Sequence, residues 1–446
     1  MTTPSKILIC TVPAAGHVNP GLPIAKELIA RGHDVHWYTG QAFRTAVEAT
    51  GARFEPIVHA SDPGTSNLTA RFPARAHLEG LRAFVFDMKH LFLDEVPGQL
   101  ADLRRILADF PADLLLVDTA FLAANVLHEL GGPRWATYGI TALPMASRDT
   151  APFGTGLPPA HSAISRGRNR LISVFMQRVV FRGVERHHQA VRGKVGLAPT
   201  RMPLLKTPES PYLYLHSSTS SFEYPRSDLA SQVHFIGPLL PELSDNFTPP
   251  SWWSLLEADR PVVLVTQGTV ATDHDQLIDP TLRGLADENA LVIAAGAPAS
   301  ALRIPVPSNA HVESFVPFGE LLPHVSVMVT NGGYGGVQYA LANGVPVVVA
   351  GTTEDKPEIA ARVRWSGAGI SLDTANPTPA QVRDAVRLVL DSPVYRRNAE
   401  RIRDDYRSHN SPVEAADLLD QLLATGQPVH RSDVGKLDAA SALPVS

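Results

Sequence analysis

The chain has 446 residues, 44% hydrophobic and 19% charged, too long for one hydrophobic core and ordinary in globular composition, so two domains are expected. A formal charge of −5 with no basic block excludes the electrostatic footprint of a nucleic-acid binder and points to small-molecule partners. The single cysteine, Cys10, excludes an intrachain disulfide; with no signal-like leader and no bilayer-spanning run, a reducing cytoplasm is the expected compartment.

"KILICTV" (6–12) is a buried-strand candidate, and "NPGLPIAKELIARGH" (19–33) reads as a helix with a cap-like Asn19, Pro20 in its first turn and Gly32 at its end. "DVHWYTG" (34–40) supplies a second strand, so the opening is a βαβ unit and predicts a parallel sheet. Further buried strands are expected in "ADLLLVDTAF" (112–121) and "RWATYGIT" (134–141). Residues 61–100 are poorly patterned and rich in aromatics, and "APFGTGLPPA" (151–160) is a Gly/Pro loop. Loops at the carboxyl edge of an α/β sheet build substrate pockets. Phe72, Phe84, Phe86, Met88, Phe121, Met145 and Phe153 are therefore candidates to line one, with burial in the core as the competing reading for each.

"VHFIGPLLPELSDNFTPPSWW" (233–253) has the Pro-rich, polar middle of a linker. A second strand series follows in "PVVLVTQGT", "ALVIAAG", "AHVESFV", "SVMVTNG" and "VPVVVAG", which predicts a second Rossmann-like sheet. The boundaries drawn are a first domain over 1–221, a linker over 222–245, a second domain over 246–405, a terminal helix over 406–424 and a disordered tail over 425–446.

In "VTNGGYGGVQYALANG" (329–344) a strand ends, glycines turn the chain and a helix begins near Gly335, so free backbone N–H groups face the cleft and suit a diphosphate. The spacing departs from the dinucleotide G-x-G-x-x-G pattern, since Gln338 stands where its last glycine belongs. Phe315, followed by Val316 and Pro317, can stack a flat base while the backbone bonds its edge. Glu354 and Asp355, past a strand end and before a helix, can accept from sugar hydroxyls or act as a charged helix start. His187 and His188 lack a third ligand at metal spacing and are expected on a helix surface; the "DHD" at 273–275 reads as a solvated loop. No metal site is expected.

The ordered set "GHVNP", "LLLVDT", "VHFIGPL", "ESFVPF", "TNGGYGG" and "TEDKPEIAARV" resembles the UDP-glycosyltransferase family of GT-B fold, whose members glycosylate small lipophilic natural products, from about residue 6 to 424. The resemblance implies two facing Rossmann-like domains with the active site in the cleft between them, and a terminal helix that crosses back to the first domain. It implies His17 as the base that deprotonates the acceptor hydroxyl, with Asp118 paired to it; an imidazole titrating near neutrality suits that role. It further implies an inverting, metal-independent hexosyl transfer from a UDP- or dTDP-sugar, the nucleotide sugar being a co-substrate and no other cofactor being required. Donor contacts are implied for Thr269, Phe315, Val316, Asn331, Gly333, Gly335, Gly336, Glu354, Asp355 and Lys356.

Several positions depart from the family pattern. Asn331 stands where a diphosphate-binding histidine is usual, Gly336 for a serine, Phe315 for a tryptophan, Phe318 for a glutamine, and Lys356 for a glutamine. An amide never carries positive charge, and Lys356 is a candidate to offset that loss. Three other readings stay open: a GT-B epimerase acting on a nucleotide sugar, a Rossmann oxidoreductase, whose dinucleotide glycine pattern "AAGHVNPG" does not supply, and a binding protein on a catalytically degenerate transferase.

Overall fold

An apolar run such as β1 (Lys6–Cys10), buried from Ile7 onward, needs cover on both faces, which parallel sheets flanked by helices provide. The computed structural model describes residues 4–62, 71–78, 80–241, 247–268 and 276–431. Among these, β1, β2 (Asp34–Thr39), β3 (Arg53–Pro56), β4 (Leu114–Asp118), β5 (Arg134–Tyr138), β6 (Tyr214–His216) and β7 (Val233–Phe235) form one parallel sheet in the order 3-2-1-4-5-6-7. A second parallel sheet holds β8 (Val262–Thr266), β9 (Leu291–Ala295), β10 (Ala310–Glu313), β11 (Val327–Thr330), β12 (Val347–Val349) and β13 (Gly369–Ser371) in the order 10-9-8-11-12-13. In each the strand order reverses once, between β1 and β4 and between β8 and β11. Ligands of open α/β sheets bind in the crevice at the carboxyl ends of such neighbours.

Three expectations are corrected. Asn19 does not cap the helix Gly21–Ala30; the chain first turns through a short helix, Ala15–Val18, whose C-cap is Asn19, and Pro20 precedes the longer helix with no side-chain cap. The first sheet runs into the segment expected as linker, because β7 pairs with β6 through Tyr214↔Val233; a three-residue strand among Gly, Pro and polar residues leaves no periodic signal. The chain beyond 425 does not begin as a tail: Val429 is buried, its N–H donating to the Tyr212 carbonyl at 2.9 Å, and the Arg431 N–H donates to Ser231 at 2.9 Å. Residues 432–446 lie outside the described ones.

The last two helices belong to different sheets. Pro393–Tyr406 buries Ala399, Ile402 and Tyr406 in the second core, whereas Ser411–Thr425 places Ala415, Leu419 and Leu422 in the core of β1 and the helix Gly21–Ala30. Arg31 clamps that return, bonding Asp417 at 2.6 Å and Asp420 at 3.0 Å, with His33 2.9 Å from Asp420.

Candidate active site

β4 ends on Asp118, and β1 leads into the short helix that carries His17. His17 Nδ1 lies 3.0 Å from Asp118 Oδ1; the buried carboxylate also accepts from the Val12 and Ala120 N–H groups, each at 2.7 Å. A carboxylate oxygen only accepts, so in the neutral ring Nδ1 carries the proton and Nε2 keeps the free lone pair. The imidazole is thereby oriented as a base, with 19% of its side chain open to solvent. Tyr138, the last residue of β5, donates its hydroxyl to the His17 carbonyl at 2.6 Å. Gly21 permits this approach, since a Cβ there would sit 2.9 Å from both the Tyr138 hydroxyl and the Trp37 ring.

At the second switch point β8 leads into Gln267 and Gly268, and β11 into Asn331. Asn331 bridges the two: its amide donates to the Gln267 carbonyl, and its Oδ1 accepts from the Gly333 N–H at 3.3 Å. The Gly333 amide, expected to face an anion, is thus already engaged. The helix Tyr334–Ala342 starts next, and the N–H groups of Tyr334, Gly335 and Gly336 in its first turn have no carbonyl one turn back to bond. A Cβ on Gly335 would meet no atom within 4 Å, so this end of the helix is open to an anionic ligand. Thr269 and the 273–275 loop lie outside the described residues.

Lys356 comes close to the same place, because a Cβ on Gly351 would collide with the Asn331 carbonyl and lie 2.8 Å from Lys356 Cδ. The Lys356 ammonium bonds Thr353 Oγ1 at 3.3 Å and pairs with Glu354, an exposed residue in the left-handed region at φ 58°. Asp355 is the N-cap of the helix Lys356–Ser366, and its Oδ2 accepts from Thr141 Oγ1 of the first domain at 2.5 Å. Burial pushes the Asp355 carboxyl up, with the Thr141 bond opposing it. Thr141 stands three residues after Tyr138, at most about 11 Å of chain, so the segment that holds His17 also reaches Asp355. Phe315 is 79% exposed, whereas its neighbour Val316 is packed in the second core.

The apolar candidates divide. Phe72 and Phe86 meet edge to face at 5.8 Å, and Phe84 and Met88 are half-buried against the first core. Phe121 packs edge-on to Tyr38 inside that core, and Met145 is buried with Leu143, Tyr214 and Val233. Phe153 packs on the core of the other sheet. His187 lies 2.7 Å from Asp94, but His188 is buried, not on the surface, because its side of the helix Arg182–Lys194 faces the core alongside Val184 and Val191.

A further group of residues carries almost no local sequence signal. Glu358 Oε1 accepts from the Gly154 and Gly156 N–H groups at 2.9 and 2.8 Å, and its Oε2 lies 3.0 Å from Arg362. Arg362 Nε donates to Glu223 Oε1 at 2.9 Å, and the same oxygen accepts from the Leu143 N–H at 2.7 Å. Burial would raise the Glu223 carboxyl, yet Arg362 beside it holds it well below the ordinary carboxylate range. This buried network ties the 151–160 loop to the helix that begins at Lys356; its members are too far apart in sequence for any local pattern, and only the i, i+4 pair Glu358–Arg362 is visible there.

Residues 281–422 match the family described as Erythromycin biosynthesis protein CIII-like, C-terminal domain. The 4'-demethylrebeccamycin synthase of Lentzea aerocolonigenes is 46% identical over 424 residues, covering 94% of this chain and 100% of that protein. UDP-glycosyltransferase 2 of Phaeomoniella chlamydospora is 35% identical over 443 residues, covering 95% and 97%. Among solved structures, the calicheamicin glycosyltransferase CalG4 matches with a TM-score of 0.73 at 23% identity over 95% of this chain and 100% of that one, a likeness of fold. With both switch points furnished as described, the chain belongs to the UDP-glycosyltransferase family of GT-B fold and is a glycosyltransferase.

Proposed function

We propose that the chain moves a hexose from a UDP- or dTDP-sugar to a hydroxyl of a small lipophilic natural product, with inversion at the anomeric carbon. The observation that carries the reading is the His17–Asp118 pair, which leaves Nε2 free to take a proton. As the acceptor O–H bond breaks, its proton passes to Nε2, the oxygen bonds to the anomeric carbon, and the bond from that carbon to the diphosphate oxygen breaks. One displacement of this kind inverts configuration. Asp118 stabilises the imidazolium that forms. Charge developing on the diphosphate is met by the first-turn amides at Gly335 and Gly336 and by Lys356 beside Asn331, so the reading calls on no metal ion or further cofactor. Phe315 offers a face for the base, and Glu354 and Asp355 acceptors for sugar hydroxyls. The half-buried Phe72, Phe84, Phe86 and Met88 supply an apolar acceptor side, and a buried, unpaired Cys10 suits a reducing cytoplasm.

The test offers purified protein a panel of UDP- and dTDP-sugars with phenolic and macrolide acceptors, and reads product mass and anomeric configuration. A product of inverted configuration supports the reading. Retained configuration overturns the mechanism, and nucleotide binding without any product favours a degenerate binding protein.

A further inference from the structure

The helix Ala163–Phe175 and the more loosely wound turn Met176–Val180 form one rod on the first domain. Its inward side is narrow: Asn169 and Met176 are buried, and Ile172 is half-buried against the core that also takes Phe84 and Met88. Ile164, Leu171 and Phe175 follow one another at seven and four positions, and so lie along one line of the helix. They are 86%, 74% and 57% exposed, and the exposed Val174 and Val179 widen the stripe. Contiguous exposed apolar surface of this kind marks an interaction site.

The flanks are cationic. Arg166, Arg168, Arg170 and Arg178 on the rod and Arg182 and Arg186 at the start of the helix that follows it are all exposed, and Glu185 is the only acid between residues 163 and 187, in a chain whose formal charge is −5. Arg166 pairs with Asp149 at 3.1 Å; among the described residues the other five make no ion pair. A second copy of the chain docking by the same face would set these arginines against their own images, which an isologous contact disfavours. An anionic lipid surface satisfies both features at once, since its phosphates meet the guanidinium groups while its acyl boundary takes the apolar stripe. No helix among the described residues is long and apolar enough to cross a membrane, and an amphipathic, arginine-flanked rod is built to lie in the interface. We propose that this rod docks the protein on anionic bilayers, with Leu171 and Phe175 entering the headgroup layer.

The test is co-sedimentation of the full chain with vesicles of phosphatidylcholine and phosphatidylglycerol in equal parts, beside vesicles of phosphatidylcholine alone. Binding about ten-fold or more tighter to the anionic vesicles is expected, falling steeply with salt. The double variant Leu171→Glu, Phe175→Glu and the double variant Arg170→Glu, Arg178→Glu should each abolish the preference while keeping the thermal midpoint, because all four side chains are exposed. Failure of the wild type to bind anionic vesicles overturns the proposal, as does equal binding by the variants. So does a dimer in sedimentation velocity that the Leu171→Glu, Phe175→Glu variant dissolves, which would assign the face to a second copy. The readout is lipid binding and not sugar transfer, so it stands apart from the proposed reaction.

Discussion

Thr141 Oγ1 donates to Asp355 Oδ2 at 2.5 Å and so joins the loop after β5 to the helix start at Lys356 across the two domains. Replacing Thr141 by Val leaves a half-buried acceptor without this donor, a loss of about 1–3 kcal/mol. If Asp355 holds a sugar hydroxyl, as proposed, the donor KM rises about ten-fold while the acceptor KM is unchanged. Initial rates varied in both substrates check this, and an effect confined to the acceptor KM would remove Asp355 from the donor site.

Phe315 is 79% exposed, so truncating it has little packing to lose. If its ring stacks the donor base, Phe315→Ala removes a contact of about 1–3 kcal/mol and weakens UDP binding about ten-fold or more by calorimetry, with an unchanged thermal midpoint. Acceptor binding weakened to the same degree would contradict the placement.

Lys356 lies beside Asn331, since a Cβ on Gly351 would meet both the Asn331 carbonyl and Lys356 Cδ. Lys356→Met is expected to raise the donor KM about ten-fold and to reduce the salt dependence of nucleotide binding. Steady-state kinetics at two ionic strengths measure both, and an unaltered salt dependence would show that Lys356 serves only its pair with Glu354.

His216 is buried, 3.3 Å from Glu223 in the network between the domains. Burial holds its imidazole below the ordinary value of 6.5, against the pull of Glu223. The unfolded chain therefore takes up a proton near 6.5 that the folded chain refuses until lower pH. Its contribution to stability is fully present above that value and is lost as pH falls below it. Thermal midpoints measured at about pH 7.5 and about pH 5.5 should fall less for His216→Gln than for wild type. Equal falls would mean that other groups carry the acid sensitivity.

What the sequence made legible follows from range. The runs at 6–12 and 112–121 are apolar enough to hold strands, and Asp118 at the end of one strand and His17 a few residues past the other fall at a switch point, so the two could be paired through the family resemblance. The glycine turn after β11 was readable because a strand, a turn and a helix follow one another within a few residues. By contrast, the Asn331 bridge to Gln267, the Thr141–Asp355 bond and the Glu223–Arg362–Glu358 network join residues on separate strands and loops, where no local period marks them. Asn19 was misread because Asn-Pro suits a helix start as well as it suits the seam between two short helices. Phe121 illustrates a further limit, since an aromatic after a strand end has the same appearance in core and pocket.

In the proposed reaction His17 is the base. The most direct measurement compares kcat for sugar transfer in wild type and His17→Ala at saturating donor and acceptor, with UDP affinity measured on the same samples. General-base catalysis predicts a fall in kcat of about 10²–10⁴-fold with unchanged nucleotide affinity. Turnover in His17→Ala close to that of wild type would contradict it.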